Sequence, residues 1–280
     1  MSARAVLSRG AGLFEGALAS AANRGFSSRL VADPSGSVVL LSPHLDDAVL
    51  SCWSVLTSQE RVQPVNVFSK PPPPGSVTRY DRICGAEDSA DHVRERLAED
   101  ARALEAAGRT PVNLPFLDRQ YRRPWQTPSL RDLDDRLAHE VPRVRTLYAP
   151  AALGFAPQPD HELVRRLALA VAGRGISLWL YADVPYAVTF GWPHWVTAAA
   201  AETHLDVDAY WQPLERDVPG IGGIREAHVV RLTEDDARRK LAAMQAYQTQ
   251  FAALDGGQVG LLRNPAIHGF EVFWEVNAVT

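Results

Sequence analysis

The chain has 280 residues, 46% of them hydrophobic and 22% charged, with a formal net charge of −4. That length buries one large core or two small ones, and the charge advertises no basic face for nucleic acid. No apolar run approaches the ~20 residues that a membrane-spanning helix needs. Two cysteines, Cys52 and Cys84, are too few for a disulfide framework, so a reducing cytoplasm is the simplest compartment.

Residues 1–23 are rich in Ala, Arg, Ser and Gly and hold a single acid, Glu15. An organellar transit peptide has such a composition. The reading adopted is an amphipathic helix, docked or frayed, with Val6, Leu13 and Leu18 on one face. Residues 1–30 are set apart as an N-terminal helix or tail, and 31–280 as a single domain.

Residues 38–41, Val-Val-Leu-Leu, are a short continuous apolar run, as expected of a strand buried on both faces. Ser42 and Pro43 stop it. His44, Asp46 and Asp47 follow, and then Val49, Trp53 and Leu56 recur at helical spacing. Cys52 falls on the inner face of that helix, and Cys84 is read as structural. Residues 62–69 form a second strand. Four prolines and Gly75 follow from Pro71 and favour polyproline II, so the segment to Asp88 is a long excursion at the carboxyl end of a strand. That is where a lid over a substrate belongs, although a stiff spacer fits the composition too.

Ala90, Val93, Leu97, Ala101 and Leu104 mark a helix that ends at Gly108. Residues 112–116 are a third strand. Leu130, Leu133 and Leu137 mark a helix, 146–149 a fourth strand, Leu163, Leu167 and Val171 a helix, and 177–182 a fifth strand. This alternation predicts an α/β fold with a parallel, doubly wound sheet. Regular structure is hard to read over 183–223, where Tyr186, Phe190, Trp192, Trp195, Tyr210 and Trp211 crowd together. They suit either a pocket wall or a satellite core. A strand over 227–232 precedes Thr233, which can cap a helix with Ala237, Leu241, Met244, Gln248 and Phe251 on one face. A strand over 270–275 closes the chain.

The polar turn after the first strand carries the chemistry. In an open α/β sheet it lies at the carboxyl ends of the strands, where ligands bind. His44 and Asp47 offer a neutral nitrogen and an anionic oxygen, a mixture zinc accepts, and Asp46 is left to take a proton from water. Helix capping by the two aspartates is the plain alternative. A second constellation, Gln158-Pro159-Asp160-His161, lies between the fourth strand and its helix. It reaches the same edge, so His161 can complete a set of three ligands, with Asp160 orienting one of them.

Pro43-His44-Leu45-Asp46-Asp47-Ala48-Val49-Leu50-Ser51 resembles the opening motif of the LmbE-like, or PIG-L, family of zinc-dependent de-N-acetylases, with Leu45 where proline is common. The resemblance implies a Rossmann-like, mostly parallel doubly wound sheet with helices on both faces, in one deacetylase domain over 31–280. It implies one Zn2+ or other divalent metal held by His44 and Asp47, and Asp46 as general base. The family's His-x-Asp-His pattern matches 158–161 and makes His161 a ligand. Gln158 stands where the family has a protonatable His that stabilises the tetrahedral intermediate or assists the leaving amine. Gln can donate a hydrogen bond but cannot titrate.

Arg96 and Glu99 resemble a family Arg-x-x-Glu whose Arg contacts substrate; an i,i+3 surface pair is the alternative. Asp118 matches an Asp that family members use for sugar hydroxyls. Residues 240–254 resemble the family's late Ala-Tyr-x-x-Gln helix. Arg79 and Tyr80, in the proline-led excursion, are added as substrate contacts, and His268 and Glu271 flank the last strand, at the rim or on the surface.

The expected function is metal-dependent removal of an N-acetyl or other N-acyl group from an amino sugar or an amino-sugar-containing natural product. Other readings are an amidase acting on a thiol-sugar conjugate, or a degenerate member whose turnover is altered or lost through Gln158. A nucleotide-binding module is disfavoured because no Gly-x-Gly-x-x-Gly follows the first strand. The expected partner is a small-molecule substrate, with neither nucleic acid nor membrane; self-association is left open.

Overall fold

The structure is a computed structural model that describes residues 28–154, 157–172, 174–198, 205–216, 227–256 and 260–276. The expected N-terminal helix over 1–23 lies outside the described residues. Seven strands form one sheet: β1 (Val31–Ser42), β2 (Val62–Asn66), β3 (Val112–Asn113), β4 (Arg143–Pro150), β5 (Ser177–Tyr181), β6 (Ala227–Arg231) and β7 (Phe270–Val276). Their order is β3-β2-β1-β4-β5-β7-β6. The first five run parallel; β7 lies antiparallel to β5 and β6 antiparallel to β7. The sheet is therefore mostly parallel and doubly wound, as the alternation of elements predicts.

The order of strands reverses between β1 and β4, which places a crevice at their carboxyl ends. Val39, Leu40 and Leu41 at the centre of β1 are fully buried, as a strand covered on both faces requires. At its start β1 departs from regular pairing: its register against β4 shifts between Ala32 and Val38. Gly36 sits there because a Cβ would meet the Arg143 carbonyl at 2.9 Å.

The helices are α1 (Asp47–Ser51), α2 (Trp53–Leu56), α3 (Arg79–Ile83), α4 (Ser89–Glu105), α5 (Leu130–Glu140), α6 (Pro159–Ala172), α7 (His194–Thr197), α8 (Val207–Arg216), α9 (Glu234–Met244), α10 (Phe251–Leu254) and α11 (Pro265–His268). None is long and apolar enough to cross a membrane. The helix expected after the His44 turn is split at Cys52. Glu271, from β7, supplies the reason: its carboxylate accepts from Trp53 N at 2.6 Å, Ser54 N at 3.0 Å and Ser54 Oγ at 2.6 Å, capping α2 from across the core. Lys240 Nζ donates to the same carboxylate at 2.8 Å, and both side chains are fully buried. His268 is buried as well and bonds the Leu262 carbonyl through Nδ1, so neither it nor Glu271 is rim or surface. Lys240→Ala leaves Glu271 as a buried charge without its cation and should lower stability by about 3–5 kcal/mol, read from denaturant midpoints.

The late helix also differs from expectation. α9 stops at Met244, and the buried residues from there are Lys240, Ala243, Met244, Tyr247 and Gln250 rather than Leu241, Gln248 and Phe251. The apolar pattern misleads because this face meets a polar interior. α4 presents Arg96, Glu99 and Asp100, all buried, to it. Tyr247 Oη donates to Asp100 Oδ1 at 2.8 Å, and Thr249 N and Oγ1 donate to Glu99 at 2.9 and 2.7 Å. Arg96 and Glu99 are thus no surface pair.

Candidate active site

The turn after β1 is built by its own side chains. Ser42 Oγ donates to the His44 carbonyl at 2.6 Å and accepts from Ala48 N at 3.0 Å. The Asp47 carboxylate accepts from His44 N at 2.8 Å. Asp46 sits at the N-cap position of α1 but makes no capping bond with its side chain. The plain reading of the two aspartates as helix caps therefore fails at Asp46. Leu45, where proline is common in the resembled motif, is buried.

The segment after β4 brings His161 to this turn. His44 Nδ1 and His161 Nε2 lie 3.4 and 3.5 Å from Asp47 Oδ2. One ligand atom from each of His44, Asp47 and His161 falls within 4.8 Å of the others. A second group, His44, Asp118 and Asp160, meets the same test on the opposite side of the His44 ring. Asp160 Oδ2 lies 3.3 Å from His44 Nε2 and Asp118 Oδ2 3.6 Å from it. Asp160 is itself fixed by Arg119 N at 2.9 Å and by the Arg122 guanidinium. The Arg122 guanidinium also covers the Phe68 ring at 4.8 Å.

His161 is fully buried. Its Nδ1 meets Asp183 Oδ1 at 2.6 Å, while its Nε2 has no hydrogen-bond partner among the described residues. An imidazole tied to a carboxylate at one nitrogen, with the other nitrogen orphaned beside a carboxylate, is the arrangement of a metal-binding histidine. The charges agree. Asp46, Asp47, Asp118, Asp160 and Asp183 surround two imidazoles, while Arg96 and Arg122 bring the nearby fixed positive charge. That excess of negative charge suits a divalent cation.

Electrostatics separates the paired aspartates. Burial, and then the Asp47 carboxylate, push Asp46 up to about 6, against the pull of Arg96, His44 and His161. Burial works on Asp47 the same way, but His161 and the bonds from His44 outweigh it and hold Asp47 down at about 2. Burial lowers His161, and Asp47 and Asp183 more than reverse it.

His44 and Asp46 open onto a cavity of about 420 Å3, within the range of small-molecule sites. Asp46, Tyr80, Arg96, Asp118, Gln158 and Asp160 all line it. Arg79 does not: it is exposed on α3. Gln158 is half-buried, and its carbonyl accepts from Glu162 N at 2.8 Å to start α6. Of the aromatic stretch, Tyr186 lines the cavity and meets the His161 ring edge-on at 5.3 Å. Trp192 and Trp211 pack on one another within the main hydrophobic core and Trp195 packs against it, so these three form neither a pocket wall nor a separate core. Residues 199–204 and 217–226 of that stretch lie outside the described residues. The proline-led excursion contributes Tyr80, and it is pinned rather than loose. Asp81, fully buried on α3, accepts from Ser89 Oγ at 2.5 Å and Tyr121 Oη at 2.8 Å.

Sequence reasoning missed Asp183 and Arg122; Tyr186 stands among the aromatics weighed as a pocket wall, and Gln250 closes the Ala-Tyr-x-x-Gln segment with no role assigned to it. Asp183 had a signal, an acid two residues beyond β5 at the carboxyl edge. Arg122 had none, being one of three arginines in a polar loop.

A mostly parallel doubly wound sheet with a histidine–carboxylate cluster at its switch point is a Rossmann-like arrangement with a candidate metal site. Among solved structures the chain is similar to the A40926 pseudoaglycone deacetylase Dbv21, at 26% identity over 89% of this chain and 99% of that one, with a TM-score of 0.61. It is similar to a deacetylase triple mutant of the teicoplanin biosynthetic pathway, at 26% identity over 86% and 98%, TM-score 0.63; a zinc-inhibited form of teicoplanin deacetylase matches at 24% and 0.62. The N,N'-diacetylchitobiose deacetylase of Pyrococcus horikoshii, at 16% identity over 88% of each chain and TM-score 0.54, shares the fold. No protein-family model matches the sequence, and no curated protein matches it. The solved structures that it resembles at 26% identity are deacetylases, in line with the resemblance of the His44–Ser51 segment to the LmbE-like, or PIG-L, motif.

Proposed function

We propose that the chain removes the N-acetyl group of an amino sugar carried on a natural-product scaffold. The observation that carries this reading is the convergence of His44, Asp47 and His161, with His44 and Asp46 lining a cavity of about 420 Å3. The substrate class is supported by the names of its two neighbours at 26% identity, deacetylases of A40926 pseudoaglycone and of the teicoplanin pathway.

In this reading His44, Asp47 and His161 hold a divalent metal, zinc by preference. When bound, the metal supplies Lewis acidity, polarising an amide carbonyl and acidifying water. The chain's own groups do the rest. Asp183 and Asp160 hold the two imidazoles in place. The Asp46 carboxylate takes a proton from the attacking water and returns it to the departing amine. The Gln158 amide donates to the carbonyl oxygen as charge develops on it. Arg96 and Asp118 hold the sugar, and Tyr80 and Tyr186 flank it.

Acetate release from a panel of N-acetylated amino sugars, free and as glycosides, tests the reading. Hydrolysis of at least one is expected, and inertness toward all would remove it. Gln158→Ala should lower turnover roughly 10²-fold, the scale of one lost oxyanion donor, with metal content unchanged. Unaltered turnover in that variant would make Gln158 a loop residue only.

A further inference from the structure

The cavity contains a polar side chain that the reaction above does not use. Gln250 lines it and is 1% exposed. Its Oε1 and Nε2 are both shielded from solvent, and neither has a hydrogen-bond partner among the described residues. Its main chain, by contrast, is fully employed. The amide donates to the Tyr247 carbonyl at 3.1 Å, and the carbonyl accepts from Ala253 N and Leu254 N at 3.0 Å. The backbone therefore holds the position, and no described residue bonds the side-chain amide. A buried amide bonded at neither end is unfavourable compared with an apolar side chain of equal length.

The chemistry of the amide limits what can meet it. One end donates and the other accepts. An acetyl carbonyl would satisfy only the donor, and an ammonium only the acceptor. Hydroxyl groups satisfy both, because each can donate and accept. The neighbouring walls do not compete: Leu254 is apolar, and Arg96, whose Nε is likewise buried without a partner, offers donors alone.

We propose that Gln250 is a specificity-determining residue that reads the ring hydroxyls of the sugar. It thereby restricts the site to a hydroxylated pyranose and discriminates against deoxy sugars. This rests on the amino-sugar deacetylase reading and deepens it. A site built to bond a hydroxyl rejects the analogue that lacks it, since its own polar groups are then left buried and unpaired.

The test is binding, by calorimetry, to the metal-loaded full chain. The probe is methyl β-glucosaminide, which has no amide to hydrolyse, together with its monodeoxy analogues at each ring hydroxyl. The wild type should bind the parent roughly 10–100-fold more tightly than at least one analogue. Gln250→Met keeps the length and removes both polar ends. It should erase that one penalty by weakening the parent to the level of the analogue, while the other penalties and the metal content stay as in the wild type. A Gln250→Met protein that keeps every penalty would overturn the inference while leaving the deacetylase reading intact. So would one that loses all penalties together with its metal. If the wild type neither binds the parent nor releases acetate from its N-acetyl form, both readings fall.

Discussion

Replacing His161 by alanine should strip the protein of its metal. The wild type should purify with about one zinc-like ion per chain. In the variant, Asp47 and His44 remain, but two ligands hold a cation far less firmly than three. The loss should be steep because the surroundings of His161 suit it to ligation alone. It is fully buried, tied to Asp183 at 2.6 Å through Nδ1, and carries an orphaned Nε2 3.5 Å from Asp47. Asp183→Asn weakens that tie without removing a ligand, so it should cost metal affinity roughly 10–100-fold. Asp118→Asn gives the opposing control. Asp118 belongs only to the alternative cluster with His44 and Asp160, and its substitution should leave metal content as it was. Elemental analysis after dialysis against a chelator reads all three proteins. A His161→Ala chain with full occupancy, paired with an Asp118→Asn chain stripped of metal, would move the site to the alternative cluster.

The site was legible in the sequence where chemistry and position coincide. His44, Asp46 and Asp47 follow an apolar run that can only be a buried strand, and His161 follows another; a parallel sheet sends both turns to one edge. The strands of the parallel half were legible for the same reason, since Val39 to Leu41 and Leu178 to Leu180 sit in runs of apolar residues. What escaped depends on contacts between distant segments. The break at Cys52 follows from a carboxylate more than two hundred residues away, Glu271, capping α2. The buried face of α9 and the turn after it could not be read from apolar spacing, because Lys240, Tyr247 and Gln250 are its buried members. The expectation for Arg96 is a substrate contact, with a surface pair as the alternative; it lines the cavity, and nothing local reveals that α4 faces a polar interior. Of the proline-led excursion only Tyr80 lines the cavity. The direction of Arg79 away from it follows from the short helix α3, which no pattern announced.

Asp46→Asn should leave the metal bound and reduce turnover by roughly 10²–10⁴-fold. Asp46 is 5% exposed, lines the cavity, and belongs to neither cluster of metal-competent side chains. Its side chain makes no capping bond, so α1 does not depend on the carboxylate. Burial and the Asp47 charge push it up from the ordinary carboxylate value, against the pull of Arg96, His44 and His161. Asparagine keeps the shape and the hydrogen-bonding reach but has no basic oxygen, so proton removal from water falls to solvent. Arg96, whose charge Asp46 helps to balance, keeps Asp118 beside it, and the substrate contacts it makes should survive. The loss should therefore appear in kcat with KM little changed, the pattern of an interaction that matters in the transition state. Asp47→Asn is the contrasting case. It removes a ligand oxygen, so activity and metal should be lost together. The measurement is kcat per bound metal for each variant. An Asp46→Asn protein that loses its metal, yet turns over at the wild-type rate per ion retained, would make Asp46 a ligand and leave the base to be sought elsewhere.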